Sequence, residues 1–181
     1  KVQVAADKDV LIGWSLGGQL ALLLANAIYQ QIQVTKPVIA CMSNPCFVAQ
    51  ENWPHAMPKV QYEQFKHAVM LQPQQALKRF CALVTLGSVA PRERAKHLQE
   101  QLVNIDLSYQ HSHLYLLEQL NLVDILKSYP GKMLFINSEN DMLVPYKVIQ
   151  NIAHFNADHL NLVKISAAHD AILFDTSLVI E

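Results

Sequence analysis

Val10-Leu11-Ile12-Gly13-Trp14-Ser15-Leu16-Gly17-Gly18, running on into a Leu- and Ala-rich stretch, decides how this chain is read. Three apolar residues closed by a glycine predict a short buried strand. From Leu16 to about Tyr29 the sequence is apolar on nearly every face, which predicts a buried helix. Between the two, residues 13–17 fit G-x-S-x-G, a turn that holds its serine in a strained backbone with the hydroxyl above the sheet. Small residues are expected at both flanking positions, because strand and helix pass close there. The following helix aims its N-terminus at the reacting centre, and the backbone N–H of Leu16 is the expected oxyanion donor. A glycine-rich structural turn is the rival reading; the strand before and the helix after favour a nucleophile at Ser15.

Residues 37–42 form a second apolar run, stopped by Ser43-Asn44-Pro45. Strand, helix and strand in this order make a βαβ unit, hence a parallel sheet with a right-handed crossover. The middle of the chain then changes character. Pro54, Pro58, Pro73 and Pro91 punctuate segments 62–71, 74–86, 92–103 and 114–126, each with apolar residues at helical spacing. An all-helical insertion between parallel strands has the form of a lid over an active site. The alternation resumes with strands at 133–136 and 160–165, and Pro145 opens a helix expected to reach about Phe155. The expected fold class is therefore α/β, with residues 1–51 and 127–181 as core and 52–126 as helical lid.

Composition narrows the function. Of 181 residues, 51% are hydrophobic and 16% charged, which places the chain among globular domains. Formal net charge is −1, so no global field draws it to nucleic acid or an anionic membrane, and any charged partner must be met by a local patch. The uncharged run between Asp9 and Lys36 is long enough to span a bilayer, but its glycines, glutamines and Asn26 suit strand, turn and buried helix better. Cys41, Cys46 and Cys81 form neither a disulfide framework nor a C-x-x-C pair; they read as buried reduced thiols of a cytoplasmic protein.

A serine hydroxyl needs a histidine base, itself oriented by a carboxylate. His169 lies just past the strand at 160–165, within Ser166-Ala-Ala-His-Asp170, and is the histidine placed to serve. Asp141 follows the strand at 133–136 and is the first candidate for the acid, with Glu139 as competitor; Asp170 adjoins the imidazole in sequence and is poorly placed to accept from it. His111 and His113 form an H-x-H pair without a third ligand at suitable spacing, so no metal is expected. Phe65, Val69, Leu77, Phe80 and Leu83 are candidates to line an apolar cavity under the lid, or simply to pack it on the core.

Gly13-Trp-Ser-Leu-Gly-Gly18, Asn44-Pro-Cys-Phe47, Trp53-Pro54, Lys78-Arg-Phe80, Leu86-Gly87, Asp141-Met-Leu-Val-Pro145 and Ala167-Ala-His169 occur in the order found in the pimeloyl-acyl-carrier-protein methyl ester esterases of bacterial biotin synthesis, a family of α/β-hydrolases. The chain resembles that family throughout, lid included. The resemblance implies Ser15, Asp141 and His169 as catalytic triad, Trp14 and Phe80 beside the substrate, and no cofactor. It implies hydrolysis of the pimeloyl methyl ester on acyl carrier protein, with Arg79, Arg92 and Lys96 holding the acidic carrier. Gln75 stands where another arginine is expected. By themselves Arg92, Arg94 and Lys96 read as a solvated helix face. The family has further strands and a His-Gly loop ahead of this point, so N-terminal strands are expected to be missing from this sequence, and the full-length protein is expected to be a monomer. A short-chain carboxylesterase, a carbon–carbon bond hydrolase and a non-catalytic hydrolase-like binding domain are the rival readings.

Overall fold

The computed structural model describes residues 2–102, 109–156 and 158–175. Four strands, β1 (Leu11–Trp14), β2 (Val38–Cys41), β3 (Met133–Ser138) and β4 (Leu160–Ile165), form one sheet in the order β1-β2-β3-β4, and every neighbouring pair is parallel. Leu11, Val38, Met133 and Leu160 share one row of the register, so all four strands release their C-terminal loops at the same sheet edge. That edge is where ligands bind in open parallel α/β sheets. Among the described residues, the outer edge of β1 pairs with no strand.

A short helix, α1 (Val2–Ala6), precedes β1 and was not legible in the sequence; it packs on α2 (Leu16–Ile32). Helix α2 runs three residues past the expected end. It stops where Gln33 turns left-handed (φ 56°) and returns its backbone N–H to the Tyr29 carbonyl at 2.8 Å. Leu22, Ala25 and Ile28 on α2 are buried against the sheet, in a core shared with Val38, Met133, Phe135, Ile149 and Ile152. Each fully buried Leu or Ile contributes roughly 1.5–3 kcal/mol.

The insertion is helical as expected: α3 (Lys59–Leu71), α4 (Pro73–Thr85), α5 (Pro91–Gln101), α6 (Gln110–Gln119) and α7 (Val123–Ser128). Pro73 and Pro91 each open their helix, where a missing N–H costs nothing. Thr85 Oγ donates to the Pro91 carbonyl at 2.9 Å and ties α4 to α5. Val103, the expected end of α5, lies outside the described residues.

Two expected helices differ. The segment 114–126 is not one helix, because Asn121 interrupts it. Asn121 Oδ1 accepts the Val123 N–H at 3.2 Å, while its Nδ2 donates to Gln50 Oε1 (2.8 Å) and Asn52 Oδ1 (2.6 Å). The Leu122 N–H goes to the Pro45 carbonyl at 2.8 Å. An asparagine offering the backbone these alternatives breaks a helix that apolar spacing alone would continue. The freed α7 packs on α2, with Leu122, Val123 and Leu126 in the main core. After Pro145 the helix is likewise short: α8 (Tyr146–Ile149) gives way to a single 3₁₀ turn at Gln150–Ile152 rather than reaching Phe155. Asn151 Nδ2 bonds back to the Lys147 and Val148 carbonyls, 3.2 Å each, another side chain competing with the helix. Helix α9 (Ala171–Phe174) follows β4. Among the described residues, no helix is long and apolar enough to cross a membrane.

Candidate active site

Ser15 sits between β1 and α2 at φ 54°, ψ −121°, a region a non-glycine residue occupies only when its surroundings force it. Its backbone N–H bonds to the Cys41 carbonyl at 2.9 Å, and its own carbonyl accepts the Gly18 N–H at 3.0 Å, so both neighbours fix the turn. The glycines divide their work differently from the expectation. A Cβ at Gly13 would collide with the Gly17 carbonyl, but at Gly17 itself a Cβ would meet nothing within 4 Å. The second close approach is at Gly18, where a Cβ would stand 2.6 Å from both Cβ and Oγ of Ser43. The requirement for smallness on the helix side therefore falls one residue later than G-x-S-x-G implies. Leu16 opens α2 immediately after the serine and lines the cavity before it.

Strands β1 and β4 are three strand spacings apart, about 14 Å, so a side chain following β4 meets one following β1 only if its loop folds back across the sheet edge. It does so step by step. The Glu139 N–H bonds the Ile165 carbonyl (3.0 Å), the Asn140 N–H bonds the Ala167 carbonyl (3.1 Å), and Ser138 Oγ donates to the Ala168 carbonyl (2.8 Å). At the end of this path the indole N–H of Trp14 donates to the His169 carbonyl at 2.8 Å. The two rings lie 5.3 Å apart, centroid to centroid. The residue beside Ser15 thus holds the residue after β4.

His169 is 1% exposed and Asp141 3% exposed. His169 Nδ1 lies 2.7 Å from Asp141 Oδ2. Asp141 Oδ1 accepts the backbone N–H groups of Leu143 (2.8 Å) and Val144 (2.9 Å), so the carboxylate is aimed by its own loop. His169 Nε2 is buried and has no partner among the described residues, which leaves the second nitrogen of an Asp-oriented imidazole available for a proton. Glu139, the competing carboxylate, is exposed and pairs with Lys164 at 3.1 Å; bonds from Ser166 and Lys164 hold its pKa below the usual carboxylate value. The imidazole takes Asp141 as its carboxylate, and Asp170 pairs with Arg94 at 3.3 Å instead.

A cavity of about 540 Å³ opens before Ser15. Trp14, Leu16 and Leu143 line its floor, and Phe65, Val69, Leu77 and Phe80 from α3 and α4 form its roof. Leu83, counted in the sequence among the lid residues facing inward, is instead 36% exposed and absent from the lining. His111 and His113 are exposed on α6, and His113 reaches the cavity wall. Among the described residues no three His, Cys, Asp or Glu side chains converge as a metal site.

Of the five cations on α4 and α5, Lys78, Arg79, Arg92 and Lys96 are exposed. Arg92 and Lys96 border a second cavity of about 430 Å³ floored by Ala82, Leu86, Pro91 and Ala95. Arg94 corrects the sequence reading. It is not part of a solvated face, its side chain being 15% exposed and paired with Asp170 and Asp175. Its neighbours carried the missed signal: Pro91, Ala95 and Leu98 mark an inward stripe on α5, and position 94 lies on its border.

Solved structures share this architecture. An esterase from Exiguobacterium antarcticum superposes with a TM-score of 0.79 at 17% identity, covering 95% of this chain and 64% of that one. A hydrolase from Oleispira antarctica gives 0.76 at 16% identity, covering 96% and 64%. The chain has the α/β-hydrolase fold. In sequence it is similar to the pimeloyl-[acyl-carrier protein] methyl ester esterase of Citrobacter koseri, 30% identical over 168 residues, and to the biotin biosynthesis bifunctional protein BioHC of Cellvibrio japonicus, 34% identical over 163 residues. These alignments take in 91% and 90% of this chain; it spans 64% of the first relative and 32% of the second. No protein-family model matches it.

Proposed function

We propose that this chain carries the catalytic residues of a serine carboxylic ester hydrolase that cleaves the methyl ester of pimeloyl-acyl carrier protein. The observation that carries the proposal is the buried Asp141–His169 pair, held by the Trp14 indole beside a serine in a strained strand-to-helix turn. The names of the sequence relatives supply the substrate.

In this reading Asp141 fixes the imidazole in the tautomer with its proton on Nδ1, and His169 Nε2 takes the Ser15 proton as the hydroxyl attacks the ester carbonyl. The backbone N–H of Leu16 stabilises the developing oxyanion. The proton passes from His169 to the departing methoxide, methanol leaves, and water then releases the acyl group by the same steps in reverse roles. The apolar cavity under α3 and α4, with Trp14 and Phe80 in its wall, takes the alkyl chain. Exposed Arg79, Arg92 and Lys96 form the cationic side on which an acidic carrier protein docks. Three free, buried thiols suit a reducing cytoplasm.

Two assays test this. A fluorophosphonate probe labels the wild-type full-length protein and not Ser15→Ala; absence of labelling in the folded wild type sinks the enzyme reading. Turnover of a methyl pimeloyl carrier thioester is then compared with that of a p-nitrophenyl ester. Preference for the simple ester transfers the assignment to a general short-chain carboxylesterase of the same fold.

A further inference from the structure

The insertion touches the segment after His169 through α5, where the His97 ring packs edge-on against Phe174 at 5.6 Å and Arg94 makes the ionic contacts. Arg94, on α5, reaches Asp170 and Asp175, residues 76 and 81 positions later. Its Nη2 lies 2.6 Å from Asp175 Oδ1 and its Nη1 is 3.4 Å from Asp175 Oδ2 and 3.3 Å from Asp170 Oδ2. Asp170 and Asp175 are the N-cap and C-cap of α9, and the Phe174 ring lies 5.0 Å from the guanidinium carbon. One planar cation therefore clasps both ends of the single helical turn that begins two residues after His169.

That turn needs such a clasp. Four helical residues do not sustain a helix by their own backbone bonds. Asp170 neither caps α9 with its side chain nor reaches solvent, being 0% exposed, and its Oδ1 has no partner among the described residues. Burial pushes its pKa up and Arg94 draws it back. On the other side, His169 is held through its ring by Asp141 and through its carbonyl by Trp14. The imidazole thus sits between two anchored segments, the second of which is anchored from the insertion by Arg94.

Resting on the Ser15–His169–Asp141 assignment above, we infer that Arg94 is a positioning residue: by neutralising Asp170 and spanning α9, it fixes the backbone that presents His169 and so makes the seating of α5 a condition for esterase turnover. Without it, a buried uncompensated carboxylate adjoins the base, and the loop relieves that by moving Asp170 toward water. Displacement of a catalytic group by about 1 Å costs on the order of 10²-fold in rate.

The test uses the full-length protein with p-nitrophenyl butyrate, a substrate with no carrier to dock. Arg94→Gln is expected to lower kcat by about 10- to 100-fold with little change in KM, and to speed amide hydrogen exchange across residues 166–175. Arg94→Gln combined with Asp170→Asn, which leaves no unpaired buried charge, is expected to recover most of the lost kcat. Arg94→Lys keeps the charge but cannot span both carboxylates; it serves if Arg94→Gln does not fold, with an intermediate kcat expected. Wild-type kcat and wild-type exchange in a folded Arg94 variant overturn the inference, even if Tm falls. So does an equal loss in the single and double variants, because the effect then bypasses Asp170. Failure of the triad assignment registers separately, as wild-type protein without Ser15-dependent turnover, and the exchange measurement still reads the clasp.

Discussion

Replacing Asp141 by asparagine probes the site with little change of shape. The wild-type carboxylate accepts three hydrogen bonds: two from the Leu143 and Val144 amides on Oδ1, and one from His169 on Oδ2. Asparagine keeps one acceptor oxygen, and the two loop amides claim it. Its NH₂ group then faces His169 Nδ1 and donates, which selects the tautomer carrying its proton on Nε2. That imidazole has no lone pair for the serine proton. The expected fall in kcat is about 10⁴-fold, as for the equivalent change in serine proteases, or about 5.4 kcal/mol of transition-state stabilisation at 1.36 kcal/mol per decade. Because the loop amides stay satisfied, Tm should fall little. Asp141→Ala strands both amides and should cost roughly 1–3 kcal/mol for each buried group left unpaired. Initial rates with p-nitrophenyl butyrate, beside a thermal melt of each variant, make the comparison. A folded Asp141→Asn protein whose kcat stays within about a factor of three of wild type would refute the orienting role, because uncoupling one member of such a triad costs orders of magnitude.

Gly18→Ala should lower Tm, by an overpacking cost of about 1–3 kcal/mol, because its Cβ would meet Ser43 at 2.6 Å, whereas Gly17→Ala has open space and should leave Tm unchanged or raise it; equal melting of the two would contradict the packing of this turn. Leu77→Trp fills the roof of the cavity and should depress kcat/KM for hexanoyl esters more than for acetyl esters, by about 10-fold or more; uniform loss across chain lengths would place the acyl group elsewhere. Leu126→Ala, at a fully buried position on α7, should cost about 2–5 kcal/mol in urea unfolding, and a change below 1 kcal/mol, outside the range for a buried leucine, would mean that α7 is not part of the core.

The strands and the elbow were legible because their signals are local and redundant. An apolar triplet, a glycine and a serine before a Leu-rich helix admit few geometries, and β4 falls on the residues that periodicity marked. Asp141 could be singled out only by its place after a strand; what separates it from Glu139 is a loop folding back across the sheet edge, a long-range feature absent from spacing. The helix break at Asn121 was hidden because its partners Gln50 and Asn52 lie about 70 residues away in sequence. Arg94 was hidden for a related reason. A basic run looks solvated until the carboxylates that turn one member inward are seen, and those carboxylates belong to the far end of the chain.

Helix α5 holds Arg92, Arg94 and Lys96 within a turn and a half, yet the outer two are exposed while Arg94 is mostly buried. An alanine scan of this run against the carrier-bound substrate would therefore return three defects that look alike. Ionic strength sorts them. Attraction between an exposed arginine and an acidic carrier fades beyond about 0.15 M salt, where the screening length is roughly 8 Å, while a mostly buried ion pair is screened far less. A defect that salt mimics in the wild type belongs to the outer surface, and one that salt cannot reproduce belongs to position 94.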